Sequence, residues 1–335
     1  MAVDIVMLAF SLGIILVSCA IFVNAIEWFG KALNLHQGIV GSILAAIGTA
    51  LPETIIPVLA LLFSKSSSAH DIGIGAIVGA PFMLATLGFF VTGTAVIVNT
   101  LLRKRTLDMV IDRTILSRDL QFFFIYYGAA VAVSFFHEYH ALKWLVALAL
   151  PLSYVIYLKK TIESEGAEVE RVEVLYATRY FKWKTSIYSI SFQLAASLVF
   201  IIIGAHLFIN NVDLLARSLG ASPLLLSLII TPIATELPEK LNSVIWVGKK
   251  KDTLALGNIT GAMVFQSCFP VAFGIFATEW DLQGLPLASA IYALLSALIV
   301  ILWIRIGRKL HPQVLLIGGV LYFMFMMNIF VIKHH

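Results

Sequence analysis

The sequence predicts an all-α integral membrane protein of ten transmembrane helices, arranged as two inverted five-helix repeats. Three observations carry this expectation. First, the 335 residues are 60% hydrophobic and only 13% charged, with a mean hydropathy of +0.96. A soluble domain averages roughly 25% charged and about 45–50% apolar residues. Second, uncharged stretches long enough to cross roughly 30 Å of hydrocarbon recur along the chain. Third, a segment near the start returns, without a gap, near the middle.

The spans follow from the charge-free stretches. Residues 5–23 form the first. Between Lys31 and Lys65 the only charge is Glu53, and none lies between Asp71 and Arg103. Residues 120–136 and 144–158 are shorter and need flanking residues to complete a crossing. Residues 185–212 make the sixth span. Between Arg217 and Lys249 the only charges are Glu236, Glu239 and Lys240. Residues 253–278, 282–304 and 310–332 complete ten. Short connections and the lack of period-2 alternation point to helices rather than a barrel. Residues 1–4 carry no basic region, so no cleavable leader is expected.

Positive charge sets the expected orientation. With both termini outside, clusters such as Arg103–Arg105 and Lys249–Lys251 face the cytoplasm, as do 18 of the 23 Lys and Arg residues in all. The same charge therefore needs no nucleic-acid partner, and none is expected. Two cysteines exclude a disulfide scaffold and offer no zinc spacing. Residues 159–184 read as a cytoplasmic linker between residues 1–158 and 185–335. Their acidic residues resemble no calcium-binding loop, which leaves a cation-sensing role as the weaker alternative.

An offset of 186 residues lays Phe22–Glu53 on Phe208–Glu239. Phe22/Phe208, Asn24/Asn210, Leu33/Leu219, Thr49/Thr235, Leu51/Leu237, Pro52/Pro238 and Glu53/Glu239 are identical pairs. After a four-residue change in loop length, GAIVGA at 75–80 falls on GNITGA at 257–262. The repeating segments span about 36–100 and 222–277. Five spans separate equivalent points, and five is odd, so the copies cross the membrane in opposite directions. That is the architecture of secondary transporters, with the site near the midplane where the repeats meet.

Glu53 and Glu239 are the residues that chemistry singles out. A charged side chain at a helix centre costs about 2.5–3.5 kcal/mol on insertion scales, and here the cost is incurred twice at matching depths. Pro52 and Pro238 lack the N–H that a helix interior uses and are expected to break it, freeing the carbonyls of Gly48 and Ala234. Freed backbone at that depth is tolerated only inside protein or along a cavity. Thr49 and Thr235 add hydroxyls. Positions 46, 49, 50 and 53 share a helix face, as do 232, 235, 236 and 239. Two such faces would present carboxylates, hydroxyls and carbonyls, a set suited to a hard cation such as Ca²⁺ or Na⁺. His206, alone in its span, reads as structural.

These paired T-x-L-P-E segments, each followed by a Gly-rich helix start, resemble the α-repeats of the calcium/cation antiporter superfamily, most closely the sodium/calcium exchangers. The resemblance covers residues 12–90 and 198–275. It implies that Glu53 and Glu239 bind the transported ion, that Thr49 and Thr235 contribute, and that Ala46 and Pro232 offer backbone oxygen. The transported cations are then substrates, and no cofactor is expected. The pattern departs from the family's G-T-S-x-P-E at Ala50 and Glu236, where serine is usual. It departs again after the Gly-rich start, where Ala80 and Ala262 replace serine, Leu84 replaces a ligand amide, and Gln266 stands in the second copy. Several sodium ligands are therefore missing, while a third carboxylate, Glu236, has appeared. Lys240 lies four residues beyond it, within reach on a helix. Either Lys240 or a protonated glutamate replaces one counter-cation, or Lys240 pairs with Glu236 and only holds the helix.

The expected function is a secondary active antiporter of a prokaryotic plasma membrane that exports Ca²⁺ against Na⁺ or H⁺. Exchange of another divalent or monovalent cation is the alternative. An enzyme would need a nucleophile–base pair or metal cluster at membrane depth, and the sequence offers none. A channel would not need two opposed halves. Oligomeric state is not legible.

Overall fold

A computed structural model of the chain describes residues 2–32, 51–64, 68–165, 173–307 and 310–333. Among these every regular element is helical. In order they are α1 (Ala2–Ala32), α2 (Leu51–Phe63), α3 (Ala69–Leu101), α4 (Arg113–Ser134), α5 (His140–Glu165), α6 (Tyr176–Phe181), α7 (Ile187–Leu219), α8 (Pro223–Thr235), α9 (Leu237–Gly248), α10 (Asp252–Ala277), α11 (Gly284–Ile306) and α12 (Pro312–Lys333). Seven of them, α1, α3, α5, α7, α10, α11 and α12, are long and apolar enough to cross a membrane. The chain is an integral membrane protein. Helix α4 falls outside the seven because Arg113, Arg118 and Asp119 load its first turns. The second and seventh expected spans are represented by shorter apolar helices, Glu53–Phe63 and Pro223–Ile233.

Local signals place several helix ends. Asp112 accepts the amides of Thr114 and Ile115 and starts α4. Ser186 and Ser189 close a reciprocal capping box at the start of α7, and Gly220, at φ +59, ends that helix in the left-handed region. Ser222 caps α8, with Pro223 in its first turn.

Leu51 and Leu237, matched by the 186-residue offset, both lie in helices, α2 and α9. The residues that the offset pairs with α8 fall within 33–50, outside the described residues.

Two apolar bodies make up the interior. Helices α1 and α7 lie along one another and share a core with α2, built on residues such as Ile15, Ile56 and Phe208. The larger core joins α3, α4, α5, α10, α11 and α12. Apolar side chains also face outward: Leu145, Leu148, Leu152 and Val155 line one side of α5 and are all exposed. In water such a stripe would aggregate; against lipid it is solvated.

Between helices in lipid, close packing replaces the hydrophobic effect as the cohesive force, and small residues permit it. The GAIVGA segment uses this. A Cβ on Gly75 would stand 2.6 Å from the Leu224 carbonyl oxygen, and one on Gly79 would strike that of Leu228. Pro232 withholds its amide from that same Leu228 carbonyl. The Gly-rich segment therefore brings α3 backbone against α8, beside the carbonyl that proline left open.

Polar clamps fasten the ends of the larger body. Arg105, which by sequence reads as one of the loop cations, is buried. Its guanidinium donates to both oxygens of Asp252 at 2.6 and 2.7 Å and to the carbonyls of Thr106, Asp108 and Val247. At the other end Lys143 donates to the carbonyls of Thr278 and Glu279. The linker is docked as well as connecting. Asn24 accepts the Tyr176 amide, Trp28 donates to the Glu173 carbonyl, and Gln193 accepts the Ala177 amide while donating to Asn24. Asn24, one of the identities in the repeat, thus ties the linker to α1 and α7.

Candidate functional site

Helix α2 brings Glu53 into the interior in its first turn, with 2% of its surface exposed. Neither carboxylate oxygen has a side-chain hydrogen-bond partner among the described residues. Pro52 is the second residue of α2, and Pro57 lies further along it. Ala46 and Thr49, the other expected contributors from the first copy, fall outside the described residues.

The second copy is described in full. The seventh span is broken at Glu236, which ends α8 and precedes α9 with φ −87 and ψ 9. The sequence places Pro238 in mid-helix. The structure puts it in the first turn of α9, where a missing N–H leaves no bond unmade. The chain interrupts two residues earlier, so that proline opens the second helix.

Around that break the polar groups converge. Glu236 is fully buried and Glu239 is 3% exposed. Lys240 reaches back to Glu236, Nζ to Oε2 at 2.8 Å, and Nζ lies 3.4 Å from the Pro232 carbonyl oxygen. The Glu236 amide donates to the same carbonyl. Among the described residues, the second Glu236 oxygen and one oxygen of Glu239 have no partner, and neither does Oε1 of Gln266 on α10. Thr235 is buried and donates to the Thr231 carbonyl, which keeps its own oxygen lone pairs available. Glu53 feels the charges of Glu239, Glu236 and Lys240, so carboxylates from both halves occupy one electrostatic site. Among the described residues no three acidic, His or Cys side chains close into a metal cage on their own. The carboxylates share a field, with one of them already engaged by an ammonium.

Sequence reasoning missed some contributors. Asn258, in the GNITGA segment, donates to the Glu239 carbonyl at 3.0 Å and ties α10 to α9 beside the site. Ser227 and Thr231 continue the hydroxyl line of Thr235 at four-residue spacing, and both are buried. Ser227 donates to the Ile72 carbonyl of α3. The spacing was readable; which helix it faced was not. Thr260 donates to the buried Asp119 of α4 at 2.8 Å, so this threonine of the motif serves a helix contact. Leu84, at the position of the absent amide, is fully buried and begins a π-helical turn, Leu84–Gly88, inside α3.

An arrangement of buried, unpartnered carboxylate oxygens, helix-break carbonyl and hydroxyls can exchange its ligands for those of a cation's hydration shell. Known proteins share this sequence pattern and fold. An uncharacterized membrane protein of Methanocaldococcus jannaschii is 22% identical over 309 residues, covering 90% of this chain and 93% of its own length. Inner membrane protein YrbG of Escherichia coli is 22% identical over 306 residues, covering 86% of each. Among solved structures, the H⁺/Ca²⁺ exchanger CAX superposes with a TM-score of 0.70 at 17% identity, over 98% of this chain and 82% of that one. The sodium-calcium exchanger NCX_Mj, soaked with Na⁺ and Sr²⁺, superposes with a TM-score of 0.55 at 19% identity over 96% of each chain. The family model described as "Sodium/calcium exchanger protein" matches residues 3–159 and 190–332, one block in each half. The chain belongs to the sodium/calcium exchanger protein family.

Proposed function

We propose that this chain is a secondary active cation antiporter that exports Ca²⁺ in exchange for Na⁺ or H⁺, by alternating access around a buried carboxylate site. One observation carries the reading: Glu53 of α2 lies within electrostatic range of Glu236 and Glu239 at the α8–α9 break, with oxygens that have no partner among the described residues. Buried carboxylates without partners are costly and persist where a ligand completes them. The ion-binding set is Glu53, Glu239, Thr49, Thr235, Gln266 and the backbone oxygens of Ala46 and Pro232, with Glu236 held by Lys240. The ten spans form two inverted halves, residues 1–158 and 185–335, joined by 159–184. Both termini lie outside a prokaryotic plasma membrane, and the linker is cytoplasmic. A cysteine placed at Ser164 should then react with an impermeant maleimide only from the cytoplasmic face; labelling from outside would reverse the orientation.

Flux of ⁴⁵Ca²⁺ in sealed proteoliposomes, with sodium and proton gradients imposed separately, tests the activity. Calcium uptake should require one of the two gradients, and Glu239→Gln should abolish it. Uptake that ignores both gradients would contradict exchange. A second reading, transport of a different cation on the same fold, is favoured by one observation. Leu84 fills with hydrocarbon the place where the family pattern has an amide ligand. It predicts no calcium flux under either gradient, and uptake of another ion, Mn²⁺ or Na⁺, in its place.

A further inference from the structure

Among the described residues, the charges that Glu53, Glu236 and Glu239 feel are one another's and that of Lys240. With its carboxylates ionised the site therefore carries three negative charges and one fixed positive charge, a net charge of −2. The fixed charge does not lie in an ordinary salt bridge at a helix surface. The ammonium is buried at the helix break, bridging a carboxylate oxygen and a backbone carbonyl. Those are the ligand types a bound alkali cation takes.

We propose that Lys240 is a built-in counter-cation, tethered to the chain and seated on the Glu236 carboxylate and the Pro232 carbonyl, which leaves the site a charge that one divalent or two monovalent cations neutralise. This rests on the exchange reading and goes beyond it: the transport cycle is electroneutral, one divalent cation for two monovalent ones. Without the ammonium the same three carboxylates would demand one more positive charge per cycle. Two features fit an ammonium that acts as a bound cation rather than as a brace. Glu236 and Lys240 span the interruption between α8 and α9, and the other Glu236 oxygen remains unpartnered. The flanking backbone bonds, Glu236 amide to Pro232 and Lys240 amide to Glu236, already hold the turn.

The experiment measures the calcium ratio at static head in sealed proteoliposomes of the full-length protein, with the driving sodium or proton gradient held constant. The membrane potential is clamped with potassium and valinomycin, and the same potassium gradient without valinomycin serves as the control. For a cycle that moves one net charge, about 60 mV shifts the accumulated calcium tenfold. The wild type should show no shift. Lys240→Met should either acquire that tenfold dependence or lose accumulation. The double variant Glu236→Gln/Lys240→Met, which restores the net charge of −2, should lose the dependence on potential whatever the change in its calcium affinity, and Lys240→Arg, which keeps the fixed charge, should accumulate calcium with no dependence on potential. A brace would give the opposite pattern, the double variant being as impaired as the single one. A wild type that exchanges calcium with the tenfold shift overturns the built-in counter-cation and leaves the exchange reading standing. A wild type that moves calcium without any counter-ion overturns the exchange reading itself. A folded Lys240→Arg variant, eluting as the wild type does on size exclusion but accumulating calcium with the tenfold shift, also overturns the proposal.

Discussion

Glu53→Gln should lose cation exchange without losing the fold. Both carboxylate oxygens of Glu53 are buried and have no side-chain partner among the described residues, so the substitution breaks no side-chain hydrogen bond to them. It also removes a charge from a place where Glu236 and Glu239 repel it. The melting temperature in detergent is expected to stay level or rise. Transport is expected to fall steeply, because a charged contact to the ion is worth about 1.5–3 kcal/mol, roughly ten- to a hundredfold in affinity for each one lost. Flux and thermal unfolding measured on the same preparation separate the two effects. Full activity in Glu53→Gln would remove this residue from the site. A loss of activity matched by a large drop in stability would make it a structural group. Stabilisation combined with inactivity is the signature of a residue retained for binding at the expense of the fold.

Arg105→Ala should be the most destabilising single change at the periphery of the larger helical body. The guanidinium makes two charge-assisted bonds to Asp252 and caps three carbonyls that have few alternatives. Removing one member of a buried pair leaves the other charged and uncompensated, at a cost of about 3–5 kcal/mol. Asp252 would keep only the Val110 amide, at 2.9 Å. Arg105→Lys should recover part of the loss, since a point charge cannot reproduce the two parallel bonds. The discriminating measurement is the double variant Arg105→Ala/Asp252→Ala. It should unfold at a higher temperature than Arg105→Ala alone, because the orphaned carboxylate is gone. Equal destabilisation of the two would mean that the three carbonyl contacts, rather than the ion pair, hold this end together. Neither Arg105 nor Asp252 belongs to the ion-binding set, so transport by the surviving folded fraction should stay close to the wild-type rate.

The membrane character, the approximate helix positions and the repeat were all legible in one dimension. Hydrophobic length, charge placement and proline are local properties, and the 186-residue offset needs no coordinates. The same is true of Glu53 and Glu239, which stand out because an uncharged stretch makes any carboxylate conspicuous, and of the reach from Lys240 to Glu236, which a helix guarantees at four residues. The helix break was legible as an event but not to the residue. Two prolines, at 232 and 238, bracket it. Only the packed backbone decides that Glu236 is the turn and that Pro238 begins the next helix.

What the tertiary structure alone decided was partnership. Whether Arg105 faces water or Asp252 depends on where the α3–α4 connection comes to rest against α10. Whether Thr260 serves an ion or Asp119 depends on which face α10 turns to α4. That the glycines at 75 and 79 meet the carbonyls of α8 follows from an interhelical approach that no periodicity encodes. The physical reason is the same in each case. Transfer into lipid acts on each segment separately and is read from composition, whereas contacts between helices depend on the shapes and rotamers of residues far apart in sequence. The carboxylates were therefore visible in the sequence one at a time. Their meeting across the two halves, with one of them already holding an ammonium, belongs to the folded chain.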